Sequence, residues 1–398
     1  MAQQLLSLAD AQAAVLARVR PLPAEDVSLD AAAGRVLAAD VRAAVDLPPF
    51  PSSAMDGFAV RAADTPGRLR VVARIAAGRP ADRVLERGEA MAIATGAVVP
   101  DGADAVVPIE HVVAEDNEVH VPHAVDRSDN VRPRGGDVAA GEVVLERGTR
   151  IGAAQIGAAA AAGVQRVSCG RRPQVAVLTT GTELRRPGES LAPGQIYESN
   201  GSMLAAALAG AGAEVRRLES IADDPAAHQE ALERALASNV VVTSGGVSVG
   251  PHDLVRGAAE SLGVKEVFWG VAVKPGKPLS FGVRGETLVF GLPGNPVSSL
   301  VGCELFVRPA LLALQGASDP APRFHVGRLA RTTRRNPHRD ELLRARTATD
   351  GDGVLVDPVA GQESHMIVRA AAADALLLAP RGDGELAAGA AVRYLPLD

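Results

Sequence analysis

Between Gln174 and Thr243 short apolar runs alternate with helical stretches, and that order restricts the chain to few folds. Gln174 to Thr180 reads as a buried strand, left through Gly181-Thr182-Glu183-Leu184. Ser199 or Asn200 then caps a helix through Leu208, and Glu214 to Ile221 is the next strand. Asp223-Asp224-Pro225 leads a helix to Leu236, with Pro225 in its first turn, ahead of the β-branched run Val240 to Thr243. Strands joined by helical crossovers form a mostly parallel sheet with helices on both faces. Residues 172–320 are assigned to this α/β/α domain, after the linker Gly170-Arg171-Arg172-Pro173.

The ends of its strands carry the chemistry. Val240 to Thr243 stops at Ser244-Gly245-Gly246, and Val247 to Arg256 continues as the first turn of a helix. Glycine lets a ligand approach the backbone, while a helix N-terminus adds free N–H groups and a positive dipole end. Gly245 and Gly250 have the spacing of a nucleotide P-loop, but Pro251-His252 stands where that loop needs Lys and Ser or Thr, which excludes it. Lys274-Pro275-Gly276-Lys277-Pro278 sets two ammonium groups on a proline-stiffened turn. Gly291-Leu292-Pro293-Gly294-Asn295-Pro296 follows the strand Thr287 to Phe290; Asn295 suits an N-cap and Pro296 the first position of a helix to about Arg308. Ligands of open α/β sheets sit at the carboxyl ends of the strands. Two glycine loops with a lysine turn between them make this an anion site.

The 398 residues exceed one ordinary core. Ser7-Leu8-Ala9-Asp10 is a capping box opening an amphipathic helix that ends before Pro21, and a second helical turn covers Leu29 to Val36. Pro48, Pro49 and Pro51 cannot continue a helix, and strand-like pieces follow: Leu69 to Ile75, Ala90 to Ala94, Asp104 to Ile109 and Glu118 to Val121. Residues 47–141 read as a β-rich insertion domain, interrupting a discontinuous helical and mixed N-terminal domain of residues 1–46 and 142–171. Past Pro320-Ala321-Pro322 short strands return, with hairpin turns at Asp350 to Gly353 and Arg381 to Gly384, making residues 321–398 a small C-terminal β-barrel.

Composition excludes other classes. A net charge of −6, from 41 basic and 47 acidic residues, argues against nucleic acid as a partner. The basic run Arg331 to Arg339 reads as a solvated loop. Cys169 and Cys303 lie far apart and outside any C-x-x-C, so no thiolate metal cage is expected. No apolar run approaches bilayer-spanning length and no secretory signal opens the chain; a soluble cytoplasmic protein is expected.

The chain resembles the molybdopterin molybdenumtransferases of the MoeA type, the family that includes the gephyrin E domain. The motifs are Pro48-Pro49-Phe50 with Ser53-Ala54-Met55-Asp56-Gly57, Thr95-Gly96-Ala97 with Gly102 to Val107, and Thr180 to Leu184. Ile196-Tyr197-Glu198-Ser199-Asn200, Thr243 to Gly250, Lys274 to Pro278 and Gly291 to Ser298 complete them. Thr182, Gly136 and Phe58 depart from the more usual Asp or Asn, Glu and Tyr.

The resemblance implies an elongated homodimer that inserts molybdate into adenylylated molybdopterin, releasing AMP with the help of Mg²⁺. An upstream molybdopterin adenylyltransferase and downstream molybdoenzymes are the implied partners. Asp56, Glu183, Asp253, Lys274 and Lys277 are the implied catalytic set, with the two lysines holding molybdate or phosphate. Main-chain N–H groups of Ser244, Gly245, Gly246 and Ser248 would cradle pyrophosphate or the pterin tail, and Pro293, Gly294, Asn295 and Pro296 would form a second wall. A subset of Glu183, Asp224 and Asp253 would bind the metal. Asp56, Thr95 and Asp137 would face the cleft from the partner subunit, and Arg344 and Ser364 resemble cleft residues of the small β unit. Three other readings compete: a molybdopterin adenylyltransferase, which leaves the other domains unexplained; a tungstate-specific paralogue; and a gephyrin-like scaffold, which the intact lysines and carboxylates disfavour.

Overall fold

The structure, a computed structural model, describes residues 5–218, 225–246 and 254–397. Asp224, Ser248 and Asp253 lie outside the described residues.

β1 (Gln174–Thr179), β2 (Glu214–Arg217), β3 (Val240–Ser244), β4 (Lys265–Trp269), β5 (Ser280–Arg284) and β6 (Thr287–Leu292) form one six-stranded sheet in the order 2-1-3-6-5-4. The pairings β1–β2, β1–β3 and β3–β6 are parallel; β5 pairs antiparallel with both β6 and β4. Alternation along the strands divides the side chains. Val175, Val177, Val240, Val242, Leu288 and Phe290 pack on one face, against the helices Asn200–Gly210 and Pro296–Leu314. Ala176, Leu178, Val241 and Val289 pack on the other, against Pro225–Ala235 and Leu254–Ser261. Covering both faces is what permits strands without polar alternation. The chain steps to β2 on one side of β1 and to β3 on the other, so a crevice opens at the carboxyl ends of β1 and β3.

The helix expected to stop near Arg308 continues to Leu314. Pro309 has no N–H for the carbonyl four residues back, and Cys303–Val307 widen into a π-turn. Gln12, from the N-terminal helix Leu8–Leu16, donates its side-chain amide to that Leu305 carbonyl at 3.0 Å. By length and composition this helix could cross a membrane, at mean hydropathy 1.6, but 78% of its apolar window is buried inside the molecule.

Gly57–Val60, Gly67–Ile75, Glu89–Ile93, Ala105–Pro108, Val113–Glu115 and Glu118–Val121 form a second six-stranded sheet with its own core around Phe58, Leu69 and Val119. On either side of it, Ala24–Ser28 pairs with Arg166–Gly170, and Val41–Arg42 with Val143–Leu145. The helix expected over Leu29 to Val36 is only a 3-10 turn, Leu29–Ala31. Gly34, at φ +75°, turns the chain so that buried Arg35 reaches Glu25 and the Gly170 carbonyl.

Asp340–Asp350, Gly353–Pro358, His325–Leu329, Ala391–Pro396 and Ala375–Ala379 close into a five-stranded barrel, the last pairing with the first. The Asp350–Gly353 hairpin forms as expected. Arg381 to Gly384 instead lead into Glu385–Leu386, which pairs with Thr333–Arg334 outside the barrel. Val273–Lys274 lies parallel to the first barrel strand, with Lys274 opposite Glu341, tying the lysine turn to the barrel.

Candidate functional site

At the ends of β1, β3 and β6 three loops meet. The Thr180 N–H donates to the Ser244 carbonyl at 3.2 Å. Gly245 and Gly246 follow at φ +94° and +65°, and a Cβ on Gly245 would stand 2.8 Å from the Thr180 hydroxyl. Both the dihedral and the close approach require glycine there. The expected N–H cradle needs correction, because the Gly245 N–H already donates to the Leu292 carbonyl at 3.1 Å. Ser244 is buried, and its hydroxyl donates to the Pro293 carbonyl at 3.2 Å, so it shapes the loop from below.

Asn200, expected only as a possible helix cap, is the pin between the loops. Its amide donates to the Ser244 hydroxyl at 2.9 Å and to the Gly294 carbonyl at 2.7 Å. A Cβ on Gly294 would stand 3.7 Å from the Gly245 Cα, so the two glycine loops touch. The helix after it is capped by neither Ser199 nor Asn200: buried Glu198 accepts the Gly201 N–H at 2.6 Å and is paired by Arg217. Glu183 is exposed, and its carboxylate oxygens lie 2.6 Å from where a Gly181 Cβ would be, folded back over the end of β1.

Beside these loops lies a cavity of about 480 Å³ lined by Lys274, Lys277, Pro293, Asn295, Ser298, Arg339, Ser364 and His365 among others. The two lysines are not equivalent, contrary to the simple picture of a doubly charged turn. Lys274 reaches Glu341 at 2.6 Å, and that carboxylate is buried, so part of the Lys274 charge is neutralised. Among the described residues no carboxylate lies within ion-pair reach of Lys277 or Arg339. Arg339 ends the basic run that read as a solvated loop. Its neighbours Arg331 and Arg335 are held by Asp357 and by the Pro380 and Arg381 carbonyls, whereas Arg339 enters the cavity.

Pro296 opens the long helix as expected, but the Asn295 amide bonds the Ser364 hydroxyl at 2.9 Å rather than capping its own helix. The Val297 N–H donates to the Ser364 carbonyl at 3.1 Å. The helix N-terminus is therefore docked on a barrel loop, its positive dipole end beside the cavity.

Arg344 requires the second correction. It is buried, and its guanidinium donates to the Gly361 carbonyl at 2.6 Å, the Met366 carbonyl at 2.9 Å and the Gln362 side chain at 3.3 Å. Burial holds it below its ordinary pKa, against the opposing charge of Glu363. Arg344 thus fixes the loop that delivers Ser364 and His365 and is not among the residues lining the lysine cavity.

Asp56 accepts the Thr95 N–H at 2.7 Å, and the Asp137 N–H donates to the Leu47 carbonyl at 2.9 Å. All three residues are exposed in the insertion, and none lines the lysine cavity of its own chain. Among the described residues no group of three His, Cys, Asp or Glu side chains is arranged to hold a metal; Glu183 is the one described member of the expected set. The cavity thus sets Lys277, Arg339, Lys274 and a helix N-terminus around a space that suits an oxyanion, with Glu363 also on its wall and the glycine loops adjoining it.

Three family patterns match the chain: the MoeA N-terminal region (domain I and II) over residues 6–163, a probable molybdopterin binding domain over 176–313, and the MoeA C-terminal region (domain IV) over 326–397. The chain is 39% identical over 378 residues to molybdopterin molybdenumtransferase 2 of Mycobacterium tuberculosis, spanning 91% of this chain and 92% of that protein. It is 33% identical over 401 residues to the molybdopterin molybdenumtransferase of Haemophilus influenzae, spanning 99% of each. The crystal structure of a molybdopterin biosynthesis MoeA protein from Pyrococcus horikoshii superposes with a TM-score of 0.78 at 32% identity, covering 99% of both chains.

Proposed function

The chain belongs to the molybdopterin molybdenumtransferase family, and on that premise we infer that it inserts molybdate into adenylylated molybdopterin and releases AMP. The observation that supports this most directly is that Pro293 and Asn295, from the glycine loop after β6, also line the lysine cavity, so the two surfaces are continuous. Lys277, Arg339 and the partly neutralised Lys274 leave the cavity lining net positive even with Glu363 on its wall, and the Ser364 hydroxyl borders the same space. The glycine loops after β3 and β6 suit a phosphate. Holding oxyanion and phosphoanhydride side by side replaces a bimolecular encounter with an intramolecular one. Each well-placed charge contributes about 3 kcal/mol to the transition state, roughly a hundredfold in rate.

A divalent cation such as Mg²⁺ prefers oxygen ligands, and one or two carboxylates with substrate phosphates suffice for it. Glu183 fits such a site at the strand end, with Asp224 and Asp253 as its proposed companions. Bound there, the cation would neutralise charge on the phosphoanhydride. Asp56, Thr95 and Asp137 would come from a second copy in a homodimer. The setting would be the cytoplasm, between an adenylyltransferase that supplies the substrate and apo-molybdoenzymes that take the product.

The test is to incubate pure protein with adenylylated molybdopterin, Mg²⁺ and either molybdate or tungstate. Oxyanion-dependent AMP release, together with activation of a cofactor-free molybdoenzyme, is the expected result. A protein that releases no AMP under these conditions does not have this function, and activation by tungstate alone would reassign the oxyanion.

A further inference from the structure

His365 stands on the wall of the lysine cavity, in the loop that buried Arg344 holds. That loop is tied on both sides of it. The Gly361, Glu363 and Met366 carbonyls accept from Arg344, the Ser364 carbonyl from the Val297 N–H at 3.1 Å, and the His365 carbonyl from the Ile367 N–H at 2.9 Å. The imidazole is the exception. It is exposed, and among the described residues no hydrogen bond, ion pair or ring contact holds it. A fixed main chain thus carries an uncommitted ring into the cavity.

The charged groups around the ring come from three directions. Lys274 and Lys277 face it from the lysine turn, with Glu341 behind Lys274, and Arg339 enters ahead of the barrel strand. Glu363 lies on the wall from the same loop, and Arg369 follows on the short helix, both flanking Gly361. The long helix brings only Asn295 and Ser298, neither of them charged. Lysine and arginine keep their protons through neutral pH and glutamate has lost its own, whereas histidine is the side chain that exchanges one there. Among the described lining residues, His365 alone is of the type that gives up a proton and takes it back at neutral pH.

We propose that His365 is the general acid of the oxyanion exchange, a role that rests on the function inferred above. An oxyanion that takes two sulfurs must release an oxygen, and oxide is a poor leaving group until it is protonated. Two Mo–S bonds form and one Mo–O bond breaks. The two thiol protons depart with that oxygen as water, and molybdenum keeps its oxidation state. The imidazolium donates one of these protons to the departing oxygen and regains one from a thiol. Lys274, Lys277 and Arg339 hold the oxyanion meanwhile, and His365 moves the proton.

The experiment compares the full chain with His365→Gln and His365→Ala. Molybdate affinity is measured by calorimetry, and insertion into adenylylated molybdopterin by the sulfur-to-molybdenum charge-transfer absorption, from about pH 6 to 8. Both variants should keep the melting temperature and bind molybdate within about twofold of the unaltered protein, yet insert it roughly a hundredfold more slowly. The unaltered rate should fall as the pH rises, because the protonated ring does the work, and the variants should lose that dependence. Added imidazole should speed His365→Ala, which leaves space for it, and not His365→Gln. Three results would overturn the assignment: variants with an unaltered rate, a loss that appears wholly as weaker molybdate binding, or a slowed His365→Ala that keeps the unaltered pH profile or gains nothing from imidazole. Failure of the function itself reads differently, as an unaltered protein that at no pH forms the absorption or releases AMP.

Discussion

Lys274 and Lys277 share one turn, yet the structure gives them different duties. Lys277 is exposed and has no carboxylate partner among the described residues, so Lys277→Ala should weaken oxyanion binding without touching the fold. Its molybdate titration should shift by roughly tenfold to a hundredfold with the urea midpoint unchanged. Lys274 also compensates buried Glu341. Lys274→Ala should therefore weaken molybdate binding and lose about 1–3 kcal/mol of stability in urea, because a buried acceptor is left unpaired. The double change Lys274→Ala with Glu341→Gln should recover much of the stability and none of the binding. Equal urea midpoints for Lys274→Ala and Lys277→Ala would refute the division of roles.

Elements show where sequence reading succeeds and where it stops. The α/β sheet was legible because its strands are unmixed β-branched runs separated by complete crossovers. The glycine loops were legible because positive φ and close approach leave few other residues possible. Arg339 and Glu341 were not, since they reach the lysine turn through a pairing of Val273–Lys274 with a barrel strand far along the chain, and no local spacing encodes it. Arg344 was misread, although period-2 alternation held the signal. Leu342, two residues before it, packs in the main core, while Leu343 and Ala345 fill the barrel, so Arg344 points to the domain junction. The long helix makes the same point, since the stop expected near Arg308 is bridged from outside by Gln12. Gln12→Ala should leave the Leu305 carbonyl without that donor and cost about 1 kcal/mol in chemical denaturation. An unchanged unfolding midpoint would mean the π-turn closes the gap unaided.

At the scale of the whole molecule, the insertion and the lysine cavity stand apart within one chain. Asp56 and Thr95 hold each other in the insertion and do not border the lysine cavity of their own chain. Phe50, Met55 and Ile109 in that region are exposed, as are Leu191, Ile196 and Tyr197 on the loop that leaves β1. Apolar surface flanking functional loops is what a second copy would cover, and a two-fold assembly would repeat the contact at both sites. If each site takes its lysines from one subunit and Asp56 from the other, Asp56→Asn and Lys277→Ala must fail for reasons that separate subunits can repair. In a mixed dimer one site carries both lesions and the other carries neither. Random subunit exchange makes about half of the dimers mixed, so two individually inactive preparations should together recover about one quarter of the unaltered AMP release. If Asp56 serves its own chain, each site of the mixed dimer carries one lesion and mixing restores nothing. An Asp56→Asn protein that is fully active alone would remove that carboxylate from the site altogether.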